Sequence, residues 1–375
     1  MAFAQLNTVS RRVSVGQPLP FNVRDADRSL LLARGQVVEN ADQMHALFER
    51  GALVDLEELK ANDATAEIAS APRERLPALW SGCMDDVGRA LQTSPHDGYA
   101  GALQDAAAPV LALIDRDPDL AIFQVLRQER NDHLQYGVTH SVHAAITVHL
   151  VAQRLQWDAA TTQSVFKAAL TMNLAMLELQ GRLALQTAPL SDSQRAEIHS
   201  HPRRSVQILE LAGVSDRLWL DTVLQHHEVP DGSGYPNGLR DVPDAALLLR
   251  RADIYTAKLS SRAGRDAMSA DQAGRQMFMQ DPGHPMTAAL AKEFGVYPPG
   301  CHVALVTGEL GIVIQRGQTV TTPVVAAVTN ERGVPRAEPV RRDTARKGQA
   351  IVAVVADHKV PARVAPEALL KLVSE

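Results

Sequence analysis

Apolar positions follow different periods in different parts of the chain, and each period predicts a different kind of element. From Val13 to about Glu58 they fall in short β-like groups, around Phe21-Asn22-Val23 and Leu30-Leu31-Leu32, separated by the turn-forming Asp25-Ala26-Asp27. Asn40-Ala41-Asp42 then reads as a helix start, with Met44, Leu47 and Phe48 on one face. Residues 1–60 are therefore expected to form a small α+β domain. Residues 61–76 are polar, Ala-rich and contain Pro72, a composition that predicts a linker.

From Pro77 onward the spacing is helical over long runs, among them Leu120–Leu126, Val138–Leu155 and Ala159–Met176. Residues 77–296 are expected to form a helical bundle. After Tyr297-Pro298-Pro299-Gly300 the character changes to Val-rich segments broken by glycine, such as Val303–Val306 and Gly311–Ile314. Residues 297–375 thus predict a β-rich extension that ends in a helix from about Pro366.

Composition narrows the class without naming it. The 375 residues are 45% hydrophobic and 22% charged, an ordinary globular balance that excludes disordered and collagen-like chains. A net charge of −5 gives no global nucleic-acid footprint, so no nucleic-acid polymer is expected as a partner. MAFAQLNTVSRR lacks the apolar run of a signal peptide, and no stretch nears the ~20 apolar residues of a membrane span, so the expectation is a cytoplasmic protein with no membrane partner. Cys83 and Cys301 lack paired metal spacing and read as free thiols.

Histidine carries the candidate chemistry. The densest stretch is His226-His227-Glu228-Val229-Pro230-Asp231-Gly232-Ser233-Gly234-Tyr235-Pro236-Asn237-Gly238-Leu239. Neighbouring histidines on a helix point about 100° apart, so both can hold metal only with two ions or at a curved helix end. Pro95-His96-Asp97-Gly98-Tyr99 contains similar letters, but it sits in a Pro/Gly turn before the other histidines and reads as a helix-initiating loop.

The string HHExxDGxGYPxGL resembles the hallmark of HD-GYP proteins, bacterial phosphohydrolases that cleave cyclic di-GMP. The resemblance covers about residues 117–294. It extends to Thr139-His140-Ser141-Val142, to His201-Pro202 and to Arg251-Ala252-Asp253-Ile254-Tyr255. It implies a mainly α fold: an HD-domain helical bundle flanked by the small N-terminal α+β and C-terminal β-rich domains. It also implies metal ligands at His140, His201, His226, His227 and Asp253, and phosphate-gripping basic residues at Arg203, Arg204, Lys258 and Arg262. Asp231, Gly232, Gly234, Tyr235 and Pro236 form the GYP loop, which the family uses to dock diguanylate cyclase (GGDEF) domains.

One departure changes the expected function. Where the family has the His-Asp dyad, registered on Ala168-Ala169-Leu170, this chain has Met172 and Asn173, with Met176 in place of a lysine. A carboxylate shared between two dications offsets their repulsion, and an asparagine carbonyl carries no charge to do so. A methionine thioether is a soft ligand, poorly matched to iron(III), manganese or zinc. Tyr136, one turn before His140, supplies no carboxylate where some members have one.

His201, His226 and His227 remain able to hold one ion, while His140 and Asp253 are expected as a hydrogen-bonded pair. The catalytic positions are thus the degenerate Met172 and Asn173, with Asp253, and the expected cofactor is none or one divalent ion (Fe, Mn or Zn) at reduced occupancy. Two readings stay open. One is a degenerate regulator that binds cyclic di-GMP or a GGDEF partner with little or no hydrolysis. The other is an active metal-dependent phosphodiesterase, giving pGpG or GMP from a reduced site. A homodimer is compatible with either.

Overall fold

A four-stranded antiparallel sheet opens the chain. In the computed structural model, which describes residues 2–93, 98–127, 135–263, 265–361 and 364–373, it comprises β1 (Phe3–Gln5), β2 (Val23–Arg24), β3 (Leu30–Leu32) and β4 (Leu53–Asp55), in the order β1-β4-β2-β3. Helix α1 (Ala41–Glu49) begins where Asn40 accepts the Gln43 backbone N–H, a side-chain cap that satisfies an otherwise orphaned donor. Leu6, Phe21, Val23, Val38 and Val54 form the core of this unit. The α+β character is as expected, although β1 and a 3-10 turn at Leu6–Arg12 begin it earlier than the alternation at Val13 suggested.

The predicted linker is mostly helix. Helix α2 (Leu56–Ser70) starts on the Asp55 cap and runs through most of residues 61–76, and a 3-10 turn at Arg73–Arg75 leads into α3 (Leu76–Gln92). Its alanines favour helix intrinsically, and Pro72 falls just beyond the C-cap Ala71, where it breaks nothing. Leu59 enters the N-terminal core and Ile68 the core of the bundle. Polar composition hid the second of these anchors, Ile68.

Of the decoy loop, Pro95-His96-Asp97 lie outside the described residues, and α4 (Tyr99–Arg116) begins directly after Gly98. Helix α5 (Pro118–Leu126) is capped by Asp117, which also accepts from Arg73 Nε at 2.6 Å. Helix α6 (Tyr136–Arg154) is the axis of the bundle. Between Val138 and Ala152 every residue except the half-buried Thr139 is buried, as expected for a helix packed on all sides. Its histidines therefore sit in the interior. Helix α7 (Ala159–Thr171) packs along it.

After the turn Leu174–Met176 come α8 (Leu177–Leu185), α9 (Asp192–Leu211), α10 (Arg217–Gln225), α11 (Asp244–Leu259), α12 (Ala270–Gln280) and α13 (Pro285–Phe294). The C-terminal sheet, β5 (His302–Leu305), β6 (Leu310–Gln315), β7 (Val324–Thr329), β8 (Pro335–Asp343) and β9 (Ile351–Val355), is antiparallel in the order β8-β7-β6-β5-β9. Alternation gives it two faces: Ile312, Ile314, Val324 and Ala326 join the bundle core, whereas Val313 and Val325 pack with Val303 and Leu305. Arg316 pins it, donating to Asp119 at 2.5 Å and to Glu293. Helix α14 (Pro366–Lys371) returns Leu369 and Leu370 to the bundle. The chain is thus mainly α, a helical bundle with a small mixed unit before it and a β-rich unit after it.

Candidate functional site

Two groups of side chains meet where α6, α9, α10 and α11 converge. The first is the histidine cluster. Helix α9, started by a reciprocal Ser191–Gln194 capping box, carries His201. Helix α10 ends at Gln225, so His226 is the C-cap and His227 lies beyond the regular helix. This bent end lets both histidines face His201, and one ligand nitrogen from each of the three lies within 4.8 Å of the others.

The hydrogen bonds around these rings fix their tautomers. His201 Nδ1 donates to the Ile198 carbonyl, and His226 Nδ1 donates to the Val223 carbonyl at 2.7 Å. Burial, reinforced by His226, pushes the His201 imidazole down to about 3. Burial also lowers His226 and holds His227 well below the ordinary imidazole value. The rings are neutral near pH 7, and their carbonyl-bound Nδ1 protons leave bare lone pairs on His201 Nε2 and His226 Nε2, 3.3 Å apart. Two such lone pairs repel unless a cation lies between them. Ligands bonded at about 2.0–2.1 Å to one tetrahedral ion are about 3.3–3.4 Å apart, so the donor set fits a divalent ion.

The second group is the pair His140–Asp253, with His140 Nε2 2.7 Å from Asp253 Oδ1. Burial alone would raise the Asp253 carboxyl. The hydrogen bond from His140 and the electrostatic pull of that ring outweigh it and hold the group well below the usual carboxylate range. His140 differs from His201 and His226 because its Nδ1 is buried with no hydrogen-bond partner among the described residues, so none of their carbonyls orients it as a ligand. The Tyr136 ring lies parallel to it at 5.9 Å, and Arg262 Nε donates to the Tyr136 hydroxyl at 3.1 Å.

Met172 and Asn173 follow the end of α7, which is tied to α10 by the Trp219 Nε1 hydrogen bond to Thr171 Oγ1 at 2.8 Å. The same turn meets α9, where Ala175 N–H donates to Ser205 Oγ, one helical turn after His201. Met172 is fully buried, and Asn173 Oδ1 is buried without a hydrogen-bond partner among the described residues. The basic residues divide. Arg203 holds the GYP loop through Asn237 and the Pro236 carbonyl, Arg204 faces Glu197 at 4.0 Å, and Lys258 donates to Gln276 at 2.9 Å.

Two residues of the site are not apparent from sequence spacing. Glu228 is fully buried and accepts the backbone N–H groups of Asn237 (2.7 Å) and Leu239 (2.9 Å), closing the GYP loop on itself. Its place as the third letter of HHE is the signal that could have pointed to it. Arg250 brings a positive charge toward Asp253, Asp231 and His227. The loop also needs its second glycine, because a Cβ at Gly234 would lie 2.4–2.6 Å from backbone atoms of residues 227–229. Tyr235-Pro236 is a cis peptide bond.

Fold and site together define a helical bundle that gathers histidines and a carboxylate at its centre. Residues 124–281 match the family model described as HD domain, so the helical bundle carries an HD domain. It is 28% identical over 271 residues to the cyclic di-GMP phosphodiesterase PA4108 of Pseudomonas aeruginosa, covering 70% of this chain and 62% of that protein. A cyclic di-GMP phosphodiesterase of Vibrio cholerae is 29% identical over 36% of this chain and 29% of its own length. The chain therefore spans less than two thirds of either relative. Among solved structures, Bd1817, an HDG"Y"P protein from Bdellovibrio bacteriovorus, superposes with a TM-score of 0.50 at 17% identity, covering 77% of this chain and 97% of the other, a likeness of fold. No helix among the described residues is long and apolar enough to cross a membrane.

Proposed function

We propose that this chain is a degenerate HD-GYP regulator of cyclic di-GMP signalling, which binds cyclic di-GMP or a GGDEF-domain partner and hydrolyses the dinucleotide slowly or not at all. The observation that carries this reading is Asn173, buried at the position of the dyad aspartate with a carbonyl that has no hydrogen-bond partner among the described residues. No charge is present there to bridge two ions, and the adjoining Met172 offers only a soft sulfur. The pairing of His140 with Asp253 supports the same reading, since each then satisfies the other rather than a second metal.

A second reading is favoured by the three-histidine cluster. His201, His226 and His227 would hold one divalent ion, and Fe, Mn and Zn all suit imidazole or mixed donors. Such an ion would supply Lewis-acid polarisation of a phosphodiester oxygen. Asp253 would stay an ionised carboxylate that orients His140 through their hydrogen bond, and the exposed Arg204 and half-buried Lys258 would meet phosphate oxygens. The GYP loop remains closed by Glu228 and Arg203 and supports partner docking under either reading.

One experiment separates them. Protein purified without oxygen is assayed for bound metal, for cyclic di-GMP binding by calorimetry, and for pGpG formation with added manganese and iron. The regulator reading expects nucleotide or GGDEF-domain binding with turnover at background. Metal near one equivalent with pGpG formation overturns it in favour of a reduced-site phosphodiesterase.

A further inference from the structure

His227 differs from the other two histidines of the cluster in what holds its ring. His201 and His226 are each oriented by an Nδ1–H donated to a carbonyl, whereas neither ring nitrogen of His227 makes a hydrogen bond among the described residues. Its ring is instead held by other rings. Tyr235 lies over it at 4.5 Å between centroids and 24° between planes, and His199 covers the opposite face of Tyr235 at 4.4 Å and 29°. On the inner side, His226 sits 4.1 Å from His227. The backbone places the tyrosine: Gly234 rests directly on residues 227–229, and the Tyr235 N–H donates to the His227 carbonyl.

We infer that Tyr235 is a positioning residue, which fixes the His227 ring as the third ligand through a three-ring stack closed on the outside by His199. The inference rests on the reading of His201, His226 and His227 as a metal site. A ligand nitrogen free to rotate about χ2 must be ordered when the ion binds, and a ring stacked on a flat neighbour has lost that freedom beforehand. Loss of an outer partner that orients a ligand typically weakens metal affinity about 10–100-fold. A stack is less directional than a hydrogen bond, so the expected loss is roughly 10-fold, the low end of that range. The tyrosine hydroxyl has no part in this, since the contact is made by the ring face.

The test uses the full chain with Tyr235→Phe and Tyr235→Leu. Titrated with Zn²⁺ against a chromophoric chelator, Tyr235→Phe is expected to match the wild type, and Tyr235→Leu, which fills space without a flat ring, to bind roughly 10-fold more weakly. In metal-free protein labelled on histidine, Tyr235→Leu should shift the ring protons of His227 most, shift those of His201, whose ring meets Tyr235 edge-on at 6.5 Å, less, and leave those of His226 in place. Unchanged His227 signals, or a Tyr235→Phe as weak as Tyr235→Leu, would overturn the inference. If His227 shifts as expected but the wild type binds no Zn²⁺, the metal reading fails and the positioning role of Tyr235 stands.

Discussion

Replacing Glu228 with alanine tests how the GYP loop is held. Its two carboxyl oxygens accept the Asn237 and Leu239 N–H groups at 2.7 and 2.9 Å, and the side chain is fully buried. A hydrogen bond that can be replaced by water is worth about 1 kcal/mol, and a donor left buried costs about 1–3. Asn237 is exposed and can rehydrate, while Leu239 is half-buried and cannot do so fully. Adding about 1 kcal/mol for the space the side chain leaves gives roughly 3–4 kcal/mol for Glu228→Ala. Glu228→Gln keeps the volume and one acceptor and should lose about half. Hydrogen exchange read at the Asn237 and Leu239 amides reports this locally. A loss of 3 kcal/mol corresponds to exchange faster by about two orders of magnitude. Exchange accelerated by less than about fivefold, or Glu228→Gln as damaging as Glu228→Ala, would refute the reasoning.

Other expectations follow from the same structure. Met172→His with Asn173→Asp should raise bound metal above the wild-type level in elemental analysis; no gain would mean that these positions do not face the histidine cluster. Gly234→Ala should displace the loop, because its Cβ would enter backbone atoms of residues 227–229, and faster tryptic cleavage at Arg240 would register it. The Glu309 carboxyl is held at about 2, below its ordinary 4.5, chiefly by hydrogen bonds from Arg342 and Arg336 that outweigh burial. A lowered folded-state value gives stability that is complete above pH 4.5 and lost as pH falls toward 2, on the order of 2–3 kcal/mol. Glu309→Gln should flatten that acid limb in pH-dependent unfolding, and an unchanged limb would exclude this carboxylate as its source. Arg316→Ala, which strips Asp119 and Glu293 of a shared cation, should cost about 3 kcal/mol and speed proteolysis between the sheet and the bundle.

The parts of this fold legible in the sequence were those where one physical rule acts alone. Helical periodicity from Leu120 to Gln225 exposed the bundle, and the glycine-rich string after His226-His227 exposed the loop. The joint role of the two histidines depended on where α10 stops, which periodicity alone did not determine. Glu228 was visible as a letter, but its task depends on a chain reversal that brings residues 237 and 239 back to it. His199 was missed because an exposed histidine on a polar helix carries no local signal, and Arg203 could be counted but not aimed at the loop. Residues 61–76 misled for the opposite reason. Local composition suggested slack chain, whereas Ile68 is ordered by contacts distant in sequence.

That helix has a mechanical consequence. Fifteen residues at about 1.5 Å each make α2 a rod of roughly 22 Å, with one end set in the N-terminal core and the other in the bundle against α4. Slack between two modules absorbs motion; a rod transmits it. A ligand or a second chain that repacks the sheet around Leu59 would tilt the rod and deliver that tilt to the helices beneath Ile68. The N-terminal unit is thus joined to the histidine-bearing bundle as a lever is joined to its load.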